Sequence, residues 1–434
     1  MNVPADLVLD GPHPLRGRFR VPGDKGMSHR SLLFAAMADG PSRVVGLAGG
    51  DDVSRTREAL ARLGVSSTVA GSAVTVAGHG VTAFTEPAGI LDCGNSGTSI
   101  RLLSGLLAGR PFLSVLSGDD SLVRRPMARV VAPLRAMGAW LDGRADGTLP
   151  PLIVRGGGLV GTAHSLTVAS AQVKTALLLA GLQADGTTEI SEPAPSRDHT
   201  ERMLAALGAP VVRVDERAVR ITAGAPRPFD FDVPGDPSSA AFWVVAATIT
   251  PGSELVVEGV ALNPARIAFV DVLVRMGAAI EMVTTGEQLG EPVGELHVRA
   301  APLHGTTVEG ATIPWVIDEI PVLAVAAAFA DGVTEFRDAG ELRVKETDRI
   351  ATVGELLTRL GVGVDSGADH LVVRGGKPGA AALDSHGDHR VAMAGAVAAN
   401  ALEGQTVVHD WRAVASSYPE FTEDLATLTG RSAR

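Results

Sequence analysis

The sequence predicts an α/β protein built from about six copies of one unit, each read as helix, strand, helix, strand, strand. Three observations predict it. Six apolar helix-like runs lead to Gly40, Gly109, Gly186, Gly252, Gly332 and Gly404, spaced 66 to 80 residues apart, and a β-rich segment follows each. Five further helix-like runs end in Leu-Gly or Met-Gly, at Gly64, Gly138, Gly208, Gly277 and Gly361, spaced 69 to 84 residues apart. Hairpin-like alternation then follows, as in V-V-R-V-D-E-R-A-V-R-I-T-A at 211–223. Glycine at a helix C′ position ahead of β-branched residues marks a helix-to-strand junction. A period near 70 residues exceeds that of solenoid repeats, so each copy is a small α/β block.

The elements run in order. The first unit opens at Pro22 with P-G-D-K-G-M-S-H-R and an apolar helix, then S-R-V-V-G-L as strand and E-A-L-A-R-L-G as second helix. The second has D-C-G-N-S-G-T-S-I-R (92–101), F-L-S-V-L-S and V-A-P-L-R-A-M-G. The third has A-S-A-Q-V-K (169–174), T-T-E-I and T-E-R-M-L-A-A-L-G. The fourth has P-G-D-P-S-S-A (234–240), E-L-V-V-E-G and V-D-V-L-V-R-M-G. The fifth has I-D-E-I-P (317–321), V-T-E-F-R and L-L-T-R-L-G. The sixth has H-G-D-H-R (386–390) and T-V-V-H-D-W, with its second helix expected at 423–430.

Composition narrows the function. A chain of 434 residues has room for two or more domains, and 45% hydrophobic against 20% charged residues is globular composition. Aromatics make up 4%, so Ala, Val and Leu must fill the core. A net charge of −11 argues against nucleic acid as a partner; clustered cations in such a chain favour a local seat for a small anion. The single cysteine, Cys93, permits no internal disulfide. The N-terminal stretch lacks the pattern of a signal peptide, and the apolar runs are too short to span a bilayer, so the expectation is a cytoplasmic protein with no membrane partner.

Chemistry-bearing residues gather at helix starts, where unpaired N–H groups and the positive dipole end attract anions. Lys25 and Arg30 follow a Pro-Gly-Asp turn. Residues 94–98 (G-N-S-G-T) suit both a capped helix and a close backbone approach to an anion; the Gly-Lys-Ser/Thr ending of a P-loop is missing. Cys93 reads as a small buried residue before it reads as a nucleophile. Asp318-Glu319 fits a helix-start charge preference and a proton-transfer group equally. Residues 345–349 (K-E-T-D-R) read as a solvated face or, on a helix, as Lys345 and Arg349 four apart on one face beside Glu346. Asp388-His389-Arg390 suits a structural histidine, or one that binds or protonates an anion. No spacing of His, Cys or acids suggests a metal, and no G-x-G-x-x-G follows a strand, so neither metal nor cofactor is expected.

Taken together, D-K-x-x-S-H-R, L-D-C-G-N-S-G-T, S-L-x-x-R-P-M, S-A-Q-V-K, S-R-D-H-T-E-R-M, P-G-D-x-S-S-A, I-D-E-I-P, E-L-R-V-K-E-T-D-R and G-D-H-R resemble the 5-enolpyruvylshikimate-3-phosphate synthases, from about Val21 to Phe421. The resemblance implies the enolpyruvyl-transferase fold, an inside-out α/β barrel of six β-α-β-α-β-β units, three per domain. It implies one domain of residues 1–21 plus 235–434, an inserted domain of 22–234, and an active site in the cleft between them. The implied reaction moves the carboxyvinyl group of phosphoenolpyruvate to the 5-hydroxyl of shikimate 3-phosphate, in a monomer. Phosphoenolpyruvate would meet Lys25, Asn95, Gly97, Arg125, Gln172, Arg349, His389 and Arg390. Shikimate 3-phosphate would meet Lys25, Gly26, Arg30, Ser170, Ala171, Gln172, Ser196, Asp318 and Lys345. The implied catalytic groups are Lys25, Asp318, Glu346 and His389, with Asp318 accepting the 5-hydroxyl proton and Glu346 with Lys25 serving the methylene carbon.

Three positions depart from the family pattern: Gly26 for the usual serine, Ala171 where some members have a second serine, and Ser416 where some carry a lysine. The competing readings are UDP-N-acetylglucosamine enolpyruvyl transferase, whose loop cysteine is replaced here by Asp120, a secondary-metabolism enolpyruvyl transferase with another acceptor, and a non-catalytic phosphate binder.

Overall fold

A computed structural model describes residues 3–431. The chain forms two compact units. One comprises residues up to Pro22 together with 234–286 and 292 onwards; the other comprises Gly23–Val233 with the short segment Glu287–Glu291. The protein is α/β throughout, and among the described residues the repeat read from the sequence recurs in five four-stranded sheets, with a sixth sheet of three strands.

The second copy shows the pattern. A short strand, Leu91–Asp92, leads into helix Gly97–Ala108, strand Leu113–Ser117, helix Ala128–Ala136 and the hairpin Trp140–Gly143 with Leu149–Arg155. The leading strand pairs parallel with the strand after the first helix, and the last strand pairs antiparallel on its other side. The third copy (Ala163–Ser165 to Ala218–Thr222) and the fifth (Thr307–Val308 to Leu371–Arg374) repeat this order. Residue pattern alone began each copy at its helix. The leading strands are two to four residues long, too short to show periodicity.

The remaining copies explain the discontinuous unit. Arg16–Phe19 leads the fourth copy by pairing with Glu254–Ala261, more than two hundred residues later. Asp230–Asp232 leads the first by pairing with Asp39–Val45. Leu7–Gly11 serves as the final antiparallel strand of the sixth, beside Gly404–His409. Each unit thus holds three sheets.

The first helix of every copy is apolar on all sides and therefore buried on all sides. In one unit Pro237–Ile249, Ile320–Ala328 and His389–Ala401 pack on one another; in the other, Gly97–Ala108 packs against both Lys25–Met37 and Ala171–Gly181. These helices are rich in Ala, Val and Leu, as the scarcity of aromatics required. One aromatic cluster joins Phe19, Phe242, Trp243, Trp411, Tyr418 and Phe421, where Trp243 stacks on Phe421 at 4.5 Å and donates its indole N–H to Tyr418 Oη at 3.0 Å. Second helices such as Asp51–Arg62 and Arg349–Arg359 keep one polar face outward.

The two glycine series have different jobs. Gly64, Gly138, Gly208, Gly277 and Gly361 sit just past their helices with φ between 75° and 104°, the left-handed close read from sequence. The other series is corrected. Gly109 caps its helix at a φ of −85°, and Gly186, Gly252 and Gly332 stand one or two residues ahead of strands. Gly40 and Gly404 lie within strands. The final helix runs Phe421–Thr429 and closes on left-handed Gly430. Among the described residues no single helix is long and apolar enough to cross a membrane.

Candidate active site

The six buried helices begin at Lys25, Gly97, Ala171, Pro237, Ile320 and His389. Five are capped by the side chain just before them: Asp24, Ser96, Ser170, Asp236 and Asp388 each accept a hydrogen bond from a first-turn N–H. Caps of this kind fix the starts of the helices, and the candidate residues stand on those starts.

In the unit containing Gly23–Val233, Lys25 opens its helix with its ammonium 3.2 Å from Asp52 Oδ2. One turn on, buried Arg30 donates from Nε to Thr200 Oγ1 (2.7 Å), from Nη1 to the Gly26 carbonyl (2.9 Å) and from Nη2 to Thr175 Oγ1 (2.8 Å). Its guanidinium lies over position 26: a Cβ there would stand 3.2 Å from Nη1 and 3.1 Å from Asp24 Oδ1. Glycine at this departure from the family pattern admits that close approach. His29, between the two cations, is fully buried, and burial pushes its imidazole down to about 3. Its Nδ1 meets Thr56 Oγ1 at 2.7 Å, which meets Ser99 Oγ at 2.8 Å. A line of neutral hydroxyls thus ties the first helix to the second copy's helix start.

At that second start, Asn95 donates to Asp119 Oδ2 at 2.8 Å and accepts from Arg125 Nη2 at 2.6 Å. Arg101 donates to Gln172 Oε1 at 2.6 Å, and Gln172 donates to Thr98 Oγ1 at 3.0 Å. A Cβ on Gly97 would stand 2.9 Å from Arg101 Nη1 and 3.1 Å from Arg125 Nη1, so both guanidinium groups converge on this glycine. Asn95, Gly97, Arg125 and Gln172 therefore form one group with Arg101. Cys93 is buried, and burial, with Asp92 adding, pushes its thiol well up, which leaves it a poor nucleophile. Ser170 caps the helix whose first residue is Ala171; Ser196 Oγ donates to Glu192 Oε2 at 2.9 Å.

In the other unit, the cations gather on carboxylates. Lys345 Nζ lies 3.7 Å and Arg349 Nη1 3.6 Å from Asp318 Oδ1. Arg349 also binds Glu346 Oε2 at 2.6 Å and Asp388 Oδ2 at 2.8 Å. Burial works against the Arg349 cation, but Glu346 and Asp388 outweigh it and push its pKa up. Burial likewise opposes the Asp388 anion, and Arg349 with His389 overcomes it, holding that carboxyl below the usual range. Asp388 also caps the helix His389–Ala401 through the N–H groups of Arg390 and Val391. Arg390 donates to the Asp318 carbonyl at 3.0 Å. Asp318, Lys345, Glu346, Arg349, His389 and Arg390 thus share one cluster.

Residues 345–349 are not helical as a run, which rules out the helical alternative for them. Gly340–Val344 is a 3-10 turn, Lys345 is extended, and the helix starts at Arg349 behind its cap, Asp348. Asp348 serves the chain better as a cap than as an interior residue. Ser416 spends its hydroxyl on the Ala413 carbonyl at 2.8 Å. The sequence reading missed Asp52, Arg101 and Glu192. Arg101 was legible, four residues after Gly97 on one helix face; Asp52 and Glu192 carry no local signal.

Six such copies with buried first helices define the enolpyruvyl transferase fold. The solved enolpyruvyl transferase NikO from Streptomyces tendae matches with a TM-score of 0.81 at 22% identity, over 99% of this chain and 98% of that one. Within that fold the chain belongs to the EPSP synthase (3-phosphoshikimate 1-carboxyvinyltransferase) family, whose family model matches residues 9–425. A 3-phosphoshikimate 1-carboxyvinyltransferase of Chloroflexus aurantiacus is 50% identical over 97% of this chain and 98% of its own length. The solved EPSP synthase of Acinetobacter baumannii matches with a TM-score of 0.89 at 40% identity, over 99% of both chains.

Proposed function

We infer that the chain transfers the carboxyvinyl group of phosphoenolpyruvate to the 5-hydroxyl of shikimate 3-phosphate and releases phosphate, a step of aromatic amino acid biosynthesis. Family membership across nearly the whole chain carries the reading. The 5-hydroxyl oxygen bonds to C2 of phosphoenolpyruvate while C3 gains a proton, giving a tetrahedral intermediate. C3 then loses a proton as the C2–O bond to phosphate breaks, which restores the vinyl group.

Both substrates are polyanions, so their encounter needs cations held ready. The convergence of Arg101 and Arg125 on Gly97, with Asn95 and Gln172 bonded to them, supports a seat for phosphoenolpyruvate. Lys25, Arg349, His389 and Arg390 complete it in this reading. Shikimate 3-phosphate takes Lys25, Gly26, Arg30, Ser170, Ala171, Gln172, Ser196, Asp318 and Lys345. Asp318, facing Lys345 and Arg349, receives the hydroxyl proton, and the cations stabilise the charge it holds. Glu346 and Lys25 move the proton at C3. His389, beside Arg390 on a helix start, assists at the donor end. The active site in this proposal draws on both units, in a cytoplasmic monomer, and Gly97, with no side chain to crowd the phosphoenolpyruvate seat, makes it a target for glyphosate.

The test is phosphate release from phosphoenolpyruvate. It is expected only when shikimate 3-phosphate is present. Release with UDP-N-acetylglucosamine and none with shikimate 3-phosphate would overturn the reading, and binding without any release would mark a non-catalytic protein.

A further inference from the structure

Behind the two serines assigned to the acceptor lies a buried charge cluster that the reaction does not use. Glu192 follows strand Thr187–Ser191, and its side chain is 2% exposed. A carboxylate this deep is costly unless every lone pair finds a donor. Glu192 Oε1 accepts from the Ser170 main-chain N–H at 3.1 Å. Oε2 accepts from Ser196 Oγ at 2.9 Å and faces Lys174 Nζ at 2.7 Å. Lys174 also meets Glu201 Oε1 at 2.8 Å. Burial acts against the lysine cation, but Glu201 and Glu192 outweigh it, so Lys174 holds its proton; burial pushes the Glu201 carboxyl upward.

The cluster sits where three elements meet. Ser170 caps helix Ala171–Gly181, which also carries Lys174; Ser196 lies in the loop that leads to helix His199–Ala206, which carries Glu201. Main-chain anchoring fixes Glu192 itself, because its N–H donates to the Arg217 carbonyl at 2.8 Å. Arg30 ties the same two helices from another point through Thr175 and Thr200.

We propose that Glu192 is a positioning residue for the phosphate of the acceptor: one buried carboxylate, neutralised by Lys174, sets the Ser170 helix cap and the Ser196 hydroxyl in register. The proposal rests on the assignment of Ser170 and Ser196 to shikimate 3-phosphate, and takes its phosphate as the group that these two hydroxyls meet. A serine hydroxyl has one proton to give, and Glu192 holds it until a phosphate oxygen competes for it. When the phosphate takes that proton, Oε2 keeps Lys174, so the carboxylate is not stranded. Lys174, Glu192 and Glu201 touch no substrate in this arrangement; they act through the two serines.

Glu192→Gln tests it, since an amide has one acceptor oxygen and cannot serve Ser170, Ser196 and Lys174 together. The expected result is a KM for shikimate 3-phosphate raised about tenfold, with the KM for phosphoenolpyruvate within about twofold and kcat within about threefold. Glu192→Asp, which keeps the charge on a shorter arm, should recover part of the loss. It reads the same ratio should the glutamine variant fail to fold. Ser196→Ala runs alongside. If Ser196→Ala raises the shikimate 3-phosphate KM and Glu192→Gln does not, the positioning role falls and the serine assignment stands. If Ser196→Ala changes nothing, both fall. Equal rises in both KM values with a lower melting temperature would mark Glu192 as merely structural and overturn the proposal.

Discussion

At Gly97 a single methyl group would press on two guanidinium groups at once. Its Cβ would meet the ends of Arg101 and Arg125 at 2.9 and 3.1 Å, tight contacts against cations held by Gln172 and Asn95. Gly97→Ala is expected to raise the KM for phosphoenolpyruvate by about tenfold and to weaken the longer molecule glyphosate more. Steady-state kinetics with and without glyphosate checks this; unchanged inhibition would remove Gly97 from the pocket wall. His29 offers a pH signature. Its folded pKa, about 3, lies below the ordinary histidine value of 6.5, so the unfolded chain binds more protons between these limits. Its contribution to stability is therefore complete above pH 6.5 and falls as pH drops towards 3, by up to about 1.4 kcal/mol per pH unit. Unfolding free energies from urea titrations of the natural protein and His29→Asn, taken from pH 7 to pH 4, should diverge in slope by about that amount, other titrations cancelling. Parallel slopes would show that His29 charges freely in the fold. At this scale the site was legible wherever a charged residue stood in a motif at a helix start. Its partners were not: Asp52 lies 27 residues from Lys25, and Glu192 lies 22 from Ser170. Only the tertiary fold brings such pairs together.

Elements were legible where period and punctuation agreed. Long apolar helices followed by β-branched strands could be read in order, because the apolar run recurs six times and an Asp or Ser cap precedes five of the six. Leading strands were not, because two to four residues carry no alternation and their partners lie elsewhere in the chain. Of the two readings left open for 345–349, the helical one does not hold, because Asp348 caps the helix that starts at Arg349. Helix packing itself gives a prediction. A Cβ on Gly105 would lie 2.1 Å from the Ala176 carbonyl oxygen, main chain that no rotamer change can clear. Gly105 therefore lets helices Gly97–Ala108 and Ala171–Gly181 touch along their backbones. Although alanine favours helix more than glycine does, Gly105→Ala is expected to cost about 1–3 kcal/mol from overpacking. Because these helices start at Gly97 and Ala171, kinetics should also show a higher KM for both substrates. Denaturant unfolding checks the stability; an equal or higher midpoint would mean that the helices part without cost.

For the molecule as a whole, the proposed reaction sets a problem that each unit alone cannot solve. Lys25, Arg30, Asn95, Arg125, Gln172 and Ser196 belong to one unit; Asp318, Lys345, Glu346, Arg349, His389 and Arg390 belong to the other. The main chain passes between units at residues 22–23 and 233–234, and again where 287–291 joins the second unit. There Glu291 meets buried His199 Nδ1 at 2.7 Å. A polyanion that took up residues of both units would favour whichever arrangement lets it meet them all. A ligand shifts such an equilibrium only by its difference in affinity between the arrangements. Shikimate 3-phosphate, assigned to Arg30 and Ser196 on one unit and to Asp318 and Lys345 on the other, has that difference; inorganic phosphate alone has less of it. The expected outcome is a smaller radius of gyration in solution scattering when shikimate 3-phosphate is added, and a further change when phosphoenolpyruvate or glyphosate joins it. Exclusion of water from the tetrahedral intermediate would follow from the same change. Because charge pairing supplies the energy, raising ionic strength should weaken substrate binding and require more ligand for the same contraction. Scattering curves that stay identical with and without saturating ligand would refute the idea that the substrates draw the two sets of residues together.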